Sequence, residues 1–121
     1  MNILITGGAG YIGSVLVQKL FAAKSRYQEL NYQDRSMSSF KESPHCMDFN
    51  KVVVYDNLMY RQLSLLDHTH RDDFEFVLGD VRDKKKLLKY VQEADIIIPL
   101  AAIVGFPACD RDWETNSKSS L

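Results

Sequence analysis

The sequence has few cysteines and prolines, and its charges nearly balance. Among its 121 residues are two cysteines, three prolines and one tryptophan, and the net charge is −1 at pH 7. Two cysteines do not make a disulfide framework, so a reducing cytoplasm is the expected location. A net charge near zero gives no reason to expect nucleic acid or an anionic membrane as a partner.

Long apolar runs and export signals are also lacking. No apolar run approaches the roughly 20 residues that cross a bilayer. The N-terminus has neither the basic flank nor the cleavage site of a signal peptide, so we expect no membrane partner. The only histidine pair at close spacing is His68 and His70. These two residues have the chemistry of zinc ligands, but their polar surroundings favour solvated loop histidines, and we expect no metal site.

The strongest pattern lies in the first thirteen residues. Residues 2–6 form a short apolar run that predicts a buried parallel strand, and Gly7, Gly10 and Gly13 follow it at three-residue spacing. From Ile12 onward, apolar residues recur at helical spacing. A glycine turn between a strand and a helix lets a phosphate group approach bare backbone amides. A Walker-type phosphate loop is excluded, because no Gly-Lys-Ser/Thr follows.

Three more apolar strands alternate with helical segments. The predicted strands are residues 2–6, 51–56, 74–78 and 96–100. The predicted helices run from residue 11 to about residue 23, within 57–68, over 84–92 and from 113 onward. In the third of these, Asp83 is the expected N-cap, and Leu87, Leu88 and Val91 are expected to face the sheet. The alternation predicts an α/β fold, a Rossmann-type doubly wound parallel sheet with strand order 3-2-1-4.

Residues 24–50 interrupt this pattern. They are polar and aperiodic, and we interpret them as an insertion, partly helical over 26–32. At the other end, the fourth strand would form a sheet edge that is apolar on both faces, which soluble proteins usually avoid. We therefore expect a sheet that is incomplete at its C-terminal side, and residues 1–121 as the N-terminal part of a larger domain.

The strand ends gather the candidate binding residues at one crevice, where doubly wound sheets bind ligands. Asp56 ends the second strand and is placed to accept hydrogen bonds from both hydroxyls of an adenosine ribose. Its charge repels a 2′-phosphate, which favours NAD over NADP. Asp56 lies 43 positions after Gly13, about twice the usual separation, and the insertion accounts for the excess. The alternative is that Asp56 only caps the next segment.

The string TGGAGYIG at residues 6–13 resembles the opening of the extended short-chain dehydrogenase/reductase family, above all its nucleotide-sugar epimerases and dehydratases. The segments VVVYDNL, GDV and IIIPLAA resemble the later strand ends of that family in the same order. The resemblance implies NAD as cofactor and a nucleotide-sugar substrate in the complete enzyme. The cofactor-binding residues that it implies are Gly7, Gly10, Tyr11, Ile12, Gly13, Asp56, Asn57, Asp80, Val81, Leu100, Ala101, Ala102 and Thr115.

The resemblance also implies a role for each group of these residues. Tyr11 and Ile12 would present their amides to the pyrophosphate. Asp56 and Asn57 would hold the adenosine ribose, and Asp80 and Val81 would recognise adenine. The path to the nicotinamide would be lined by Leu100, Ala101 and Ala102, and Thr115 begins a stretch similar to the helix start that borders the cofactor. One departure from the family is Pro99, which lacks an N–H where relatives often carry another residue.

The catalytic residues of the family are missing from this sequence. Relatives transfer hydride with a Tyr-x-x-x-Lys pair, and none of the six tyrosines here has a lysine four places later. We therefore assign no catalytic residue and expect the chain to bind dinucleotide without turning over a sugar nucleotide. Two alternatives stay open, a non-catalytic dinucleotide sensor that docks a partner on its fourth strand, and a gene fragment. A homodimer is also left open.

Overall fold

The computed structural model describes residues 1–33 and 47–103, and a parallel sheet forms its centre. Its four strands are β1 (Asn2–Thr6), β2 (Lys51–Asp56), β3 (Phe74–Leu78) and β4 (Ile96–Pro99). Two helices, α1 (Tyr11–Gln33) and α2 (Lys84–Glu93), and a 3-10 turn (Leu66–His68) connect them. The strand order is β3-β2-β1-β4 with all pairs parallel. The predicted α/β Rossmann-type sheet and its order are confirmed.

The register of the sheet brings the carboxyl ends of the strands to one edge. Thr6, the last residue of β1, pairs with Tyr55 on one side and with Pro99 on the other. The N–H of Leu100 donates to the carbonyl oxygen of Thr6 at 2.9 Å. In a strand, the backbone N–H groups of alternate residues point to the same neighbouring strand. Because the N–H of Leu100 points to β1, the nitrogen of Pro99 points away from it. The proline is therefore accommodated without loss of a bond to β1.

Helix α1 covers one face of the sheet and is longer than the sequence predicts. The predicted end near residue 23 is wrong, since the helix continues to Gln33. Lys24 is only 8% exposed, and its Nζ donates to the carbonyl oxygen of Phe49 at 2.7 Å. This buried lysine looks like a solvent-exposed residue in the sequence, and no glycine or proline occurs in residues 24–33 to end the helix. The first part of the predicted insertion is thus helix, while residues 34–46 lie outside the described ranges.

Helix α2 packs on the opposite face, through a stripe that differs from the predicted one. Asp83 is its N-cap as predicted, with its side chain accepting from the Lys86 N–H. Leu87 and Val91 pack against the core, together with Tyr90, whose ring centroid lies 5.8 Å from that of Tyr55. Leu88 is 53% exposed, so its predicted burial is wrong. Positions 87, 90 and 91 share one helical face, and position 88 falls outside it.

Asp73 is the centre of an ion cluster that ties α1 to the start of β3. Its carboxylate accepts from Lys24 Nζ at 2.9 Å and from Arg71 Nε at 2.8 Å. Hydrogen bonds from Arg71, the largest cause, and from Lys24 lower the pKa of Asp73 from 3.8 to about 2 against the opposing effect of burial. Because this pKa lies below its unfolded value, the cluster stabilises the fold above pH 3.8, and that stabilisation is lost as the pH falls to about 2.

Replacing Asp73 with asparagine is expected to lower the free energy of unfolding at pH 7 by about 2 kcal/mol, because the shift of the pKa measures the interaction that is removed. The variant should also lose less stability than the parent when the pH falls from 3.8 to about 2. Urea unfolding at a series of pH values measures both effects. Asp72→Asn is the matched control, since it removes the same charge from an exposed neighbour. Equal losses in the two variants would contradict the assignment.

Candidate functional site

A cleft of about 410 Å³ opens beyond the carboxyl ends of the strands. The segments that follow β1, β2, β3 and β4 all contribute to its walls, as the sequence predicts. Every predicted site residue within the described ranges lines it, whereas Thr115 lies outside those ranges. Further lining residues that the sequence reasoning missed are Tyr55, Met59, Tyr60, Gln62, Gly79, Arg82 and Ile103.

Two glycines after β1 are required by packing. Gly7 has φ +71°, and a Cβ there would lie 2.6 Å from the backbone nitrogen of Ala101. A Cβ at Gly13 would lie 2.5 Å from the Cα of Gly8. Backbone atoms cannot move aside as a flexible side chain would, so any larger residue at either position strains the fold. These glycines let β1, β4 and α1 meet closely around the cleft.

Gly10 differs from its two neighbours in the motif. Among the described residues beyond its chain neighbours, a Cβ there would lie within 4 Å of one atom, the carbonyl oxygen of Gly7 at 3.2 Å. Gly10 also lines the cleft. The fold therefore makes a weaker demand for glycine here than at Gly7 or Gly13, and the bare backbone leaves room for a ligand to approach.

The N-terminus of α1 points its amides toward this open space. The N–H of Ser14 donates to the carbonyl oxygen of Gly10 at 2.9 Å, so the amides of Tyr11, Ile12 and Gly13 come before this first turn of hydrogen bonds. The first turn of the helix contains no acidic residue. These amides and the helix dipole favour an anion at the base of the cleft.

Asp56 binds two backbone amides of the cleft wall. Its Oδ2 accepts from the N–H of Ala9 at 3.0 Å, and its Oδ1 accepts from the N–H of Leu58 at 2.8 Å. The capping alternative is thus part of its role, and Asp56 also fixes the glycine loop. Each carboxylate oxygen has a second lone pair, so the carboxylate retains acceptors for the predicted ribose hydroxyls.

Asp80 joins the ends of β2 and β3. Its carboxylate accepts from Arg82 Nε at 2.9 Å and from Arg82 Nη2 at 2.6 Å. Hydrogen bonds from the Arg82 side chain, the largest cause, from the Arg82 backbone and from the Asn57 side chain lower the pKa of Asp80 despite partial burial. Asp80 therefore stays ionised and holds two other lining residues in place. The Asp-x-Arg spacing at residues 80–82 is the sequence signal for this pair.

Tyr55 supports the turn that contains Gly79 and Asp80. Its hydroxyl donates to the carbonyl oxygen of Asp80 at 3.2 Å, and its ring is fully buried. Gly79 packs against that ring so closely that a Cβ there would overlap it. Burial, the largest cause, and the nearby Asp83 and Asp80 raise the pKa of Tyr55, which keeps its hydroxyl protonated as a donor. The depth of the cleft at this end thus depends on the Tyr55–Gly79 contact.

The two candidate zinc ligands, His68 and His70, differ in their exposure to solvent. His68 stacks on Phe21, with ring centroids 5.1 Å apart, so its interpretation as a solvated histidine is wrong. Burial is the main cause that lowers the pKa of His68, whereas His70 is exposed. Within residues 1–33 and 47–103, no three histidine, cysteine or acidic side chains are grouped as a metal site. In the same ranges, no helix combines the length and apolar character needed to cross a membrane.

The fold of the chain is similar to that of a solved enzyme. The chain is similar to the crystal structure of DesIV, a dTDP-glucose 4,6-dehydratase from Streptomyces venezuelae with NAD bound, at 28% identity and a TM-score of 0.69. The similarity covers 99% of this chain and 33% of that one. The α/β sheet of this chain is therefore similar to that of a solved dehydratase.

Two curated relatives match most of the chain. The inverting UDP-N-acetylglucosamine 4,6-dehydratase of Campylobacter jejuni is 26% identical over 109 residues, which are 90% of this chain and 26% of the relative. The uncharacterized membrane protein MJ1061 of Methanocaldococcus jannaschii is 26% identical over 110 residues, with the same coverage. The chain thus spans about a quarter of the length of these relatives. The sequence model of the NAD dependent epimerase/dehydratase family matches residues 3–118. The chain belongs to the NAD-dependent epimerase/dehydratase family.

Proposed function

We propose that the chain is the NAD-binding portion of a nucleotide-sugar epimerase or dehydratase. The observation that carries the proposal is Gly10, which lines the cleft next to the first amides of α1 and where a Cβ would meet, among the described residues beyond its chain neighbours, only the carbonyl oxygen of Gly7. A glycine at a position where packing demands it less than at Gly7 or Gly13, and which lines the cleft, is consistent with a ligand that approaches its bare backbone. In the complete enzyme, NAD would accept a hydride from a carbon of the sugar and return it to the intermediate.

The residues of the cleft fit a dinucleotide in three parts. At the centre, the amides of Tyr11 and Ile12 would bind the pyrophosphate through hydrogen bonds and the helix dipole. Because β2 and β4 lie on opposite sides of β1, the two nucleosides would extend to opposite sides of this centre. Asp56 would accept from the ribose hydroxyls on the β2 side.

The two ends of the cleft differ in chemistry. At the β3 end, Asp80 holds Asn57 and Arg82 in a polar frame, which suits the hydrogen-bonding edge of adenine. At the β4 end, Leu100 and the two following alanines offer a small apolar wall with room for the nicotinamide. We infer that the chain orients the cofactor in one direction only, adenosine toward β3 and nicotinamide toward β4.

Titration calorimetry on the folded chain tests the proposal. NAD⁺ and NADH are expected to bind with one site per chain, and ADP-ribose should bind through the same residues, whereas NADP⁺ should bind more weakly because its 2′-phosphate meets Asp56. Cooperative urea unfolding of the same sample establishes that the protein is folded. If a folded sample gives no heat of binding with NAD⁺ and none with NADH, the proposal is overturned.

A non-catalytic dinucleotide sensor is the second candidate, and one observation favours it. Within the described ranges, the outer edge of β4 has no strand partner, and Ile96 and Ile97 are exposed on it. Such an edge can pair with a strand of another protein. The DNA that follows the codon for Leu121 separates the candidates. A continuing reading frame with a Tyr-x-x-x-Lys pair supports the enzyme, and a stop codon supports the sensor.

A further inference from the structure

The segment from residue 57 to residue 65, which connects β2 to the 3-10 turn, presents large apolar side chains to the cleft. Tyr60 is 59% exposed, and it lines the cleft together with Met59 and Gln62. The free energy of an aromatic ring of this size is lower when the ring is buried than when it is exposed to water. An exposed ring at the wall of a ligand-sized cleft therefore marks a surface that a ligand would cover.

The backbone under Tyr60 is held in a strained shape. Leu58 and Arg61 have φ values of +50° and +54°, in the left-handed region that residues with a Cβ seldom adopt. The N–H of Arg61 donates to the carbonyl oxygen of Leu58 at 2.8 Å, which closes a tight turn with Met59 and Tyr60 at its tip. Strain of this kind persists where the surrounding structure holds it, and it is concentrated at binding sites.

The same segment is fastened to the glycine loop. The hydroxyl of Ser64 donates to the carbonyl oxygen of Ala9 at 2.9 Å, and the N–H of Ala9 donates to Asp56 at 3.0 Å. Leu65 is buried in the core directly after Ser64. Both polar groups of the Ala9 backbone are therefore held by β2 or by the segment that follows it. The turn with Tyr60 consequently keeps a fixed position relative to the predicted phosphate site.

We propose that Tyr60 stacks on the adenine ring of the bound dinucleotide and strengthens binding of its adenosine half. The inference rests on the proposed function, because it assigns a role within the same cleft. Tyr60 follows β2, so it lies on the adenosine side of β1 and away from β4. A planar purine offers the π-face that an exposed tyrosine ring stacks on, whatever hydrogen bonds the edge of the purine makes.

Three variants test the stacking role. Tyr60→Ala removes the ring, Tyr60→Phe keeps it, and Leu63→Ala removes an exposed apolar side chain of the same segment that does not line the cleft. Leu63 is 67% exposed, which makes it a close match for Tyr60. Calorimetry with NAD⁺ and with ADP-ribose is expected to show a loss of about tenfold or more for Tyr60→Ala, equal for both ligands, because aromatic stacking on one base is worth that much. Tyr60→Phe and Leu63→Ala should bind as the parent does.

A spectroscopic signature separates stacking from a merely structural effect. The adenine proton resonances of bound ADP-ribose should move upfield with the parent and with Tyr60→Phe, and this shift should vanish with Tyr60→Ala. Unchanged affinity of Tyr60→Ala would overturn the inference and leave the proposed function standing. An equal loss in Tyr60→Phe would assign the effect to the hydroxyl and also overturn stacking. A parent protein that binds neither ligand would overturn the proposed function itself.

Discussion

Replacing Gly10 with valine is expected to abolish dinucleotide binding and leave the fold intact. Among the described residues beyond its chain neighbours, the only atom within 4 Å of a Cβ at this position is the carbonyl oxygen of Gly7, at 3.2 Å, so we expect a side chain to fit with a small local shift of that carbonyl. The branched side chain of valine would then occupy the space beside the first amides of α1. We expect the affinity for NAD⁺ to fall at least about a hundredfold, or nearly 3 kcal/mol.

Two alanine variants separate an effect on binding from an effect on packing. Gly10→Ala and Gly13→Ala add the same methyl group to the same motif. At Gly13 that methyl lies 2.5 Å from the Cα of Gly8, and backbone must move, so this variant should lose several kcal/mol of stability. Gly10→Ala should lose much less stability than Gly13→Ala and should weaken binding. Urea unfolding and titration calorimetry measure the two losses side by side.

The outcome also locates the phosphates. If Gly10→Val binds NAD⁺ with the affinity of the parent, the pyrophosphate does not lie against this glycine, and the amides of Tyr11 and Ile12 lose their assigned role. If Gly10→Val unfolds, the smaller Gly10→Ala still measures binding, because its single methyl requires the carbonyl oxygen of Gly7 to move by only a few tenths of an ångström. Each variant thus decides between a ligand role and a packing role for its glycine.

The sheet could be predicted from the sequence because its signals are local. The run Ile3, Leu4 and Ile5 is apolar on both faces, as strands covered by helices on both sides require. Parallel strands joined by right-handed crossovers then leave few possible orders. The end of α1 was missed for the opposite reason. Lys24 is buried because Asp73 neutralises its charge and the carbonyl oxygen of Phe49 accepts a hydrogen bond from it. Both partners are distant from Lys24 in sequence.

The candidate site shows the same division between local and distant causes. Asp56, Asp80 and the glycines were found because they stand at strand ends, where the fold class places ligands. Tyr60 was missed because it reaches the cleft through a turn whose backbone enters the left-handed region at Leu58 and Arg61. Neither of these residues predicts such a conformation, which depends on hydrogen bonds to Asp56 and within the turn.

Asp56 combines two roles that substitution can separate. Its carboxylate binds the backbone of Ala9 and Leu58, and its charge faces the cleft. Asparagine keeps the shape and one acceptor oxygen but removes the charge, whereas alanine removes both. The first variant therefore removes the charge and leaves an acceptor for one of the two backbone donors, whereas the second leaves both donors without an acceptor. Leaving a backbone donor without its partner costs about 1–3 kcal/mol if it stays buried.

Replacing Asp56 with asparagine is expected to narrow the preference for NAD⁺ over NADP⁺ about tenfold or more, because a 2′-phosphate no longer meets a negative charge. Asp56→Ala should narrow the preference for NAD⁺ by a similar factor and bind NAD⁺ more weakly than Asp56→Asn does. Its free energy of unfolding should fall by about 1–3 kcal/mol. Calorimetry with both cofactors measures the ratio, and urea unfolding measures the stability. Asp67→Asn is the control, since Asp67 is exposed and does not line the cleft. An unchanged ratio in Asp56→Asn would move the ribose contact to another residue.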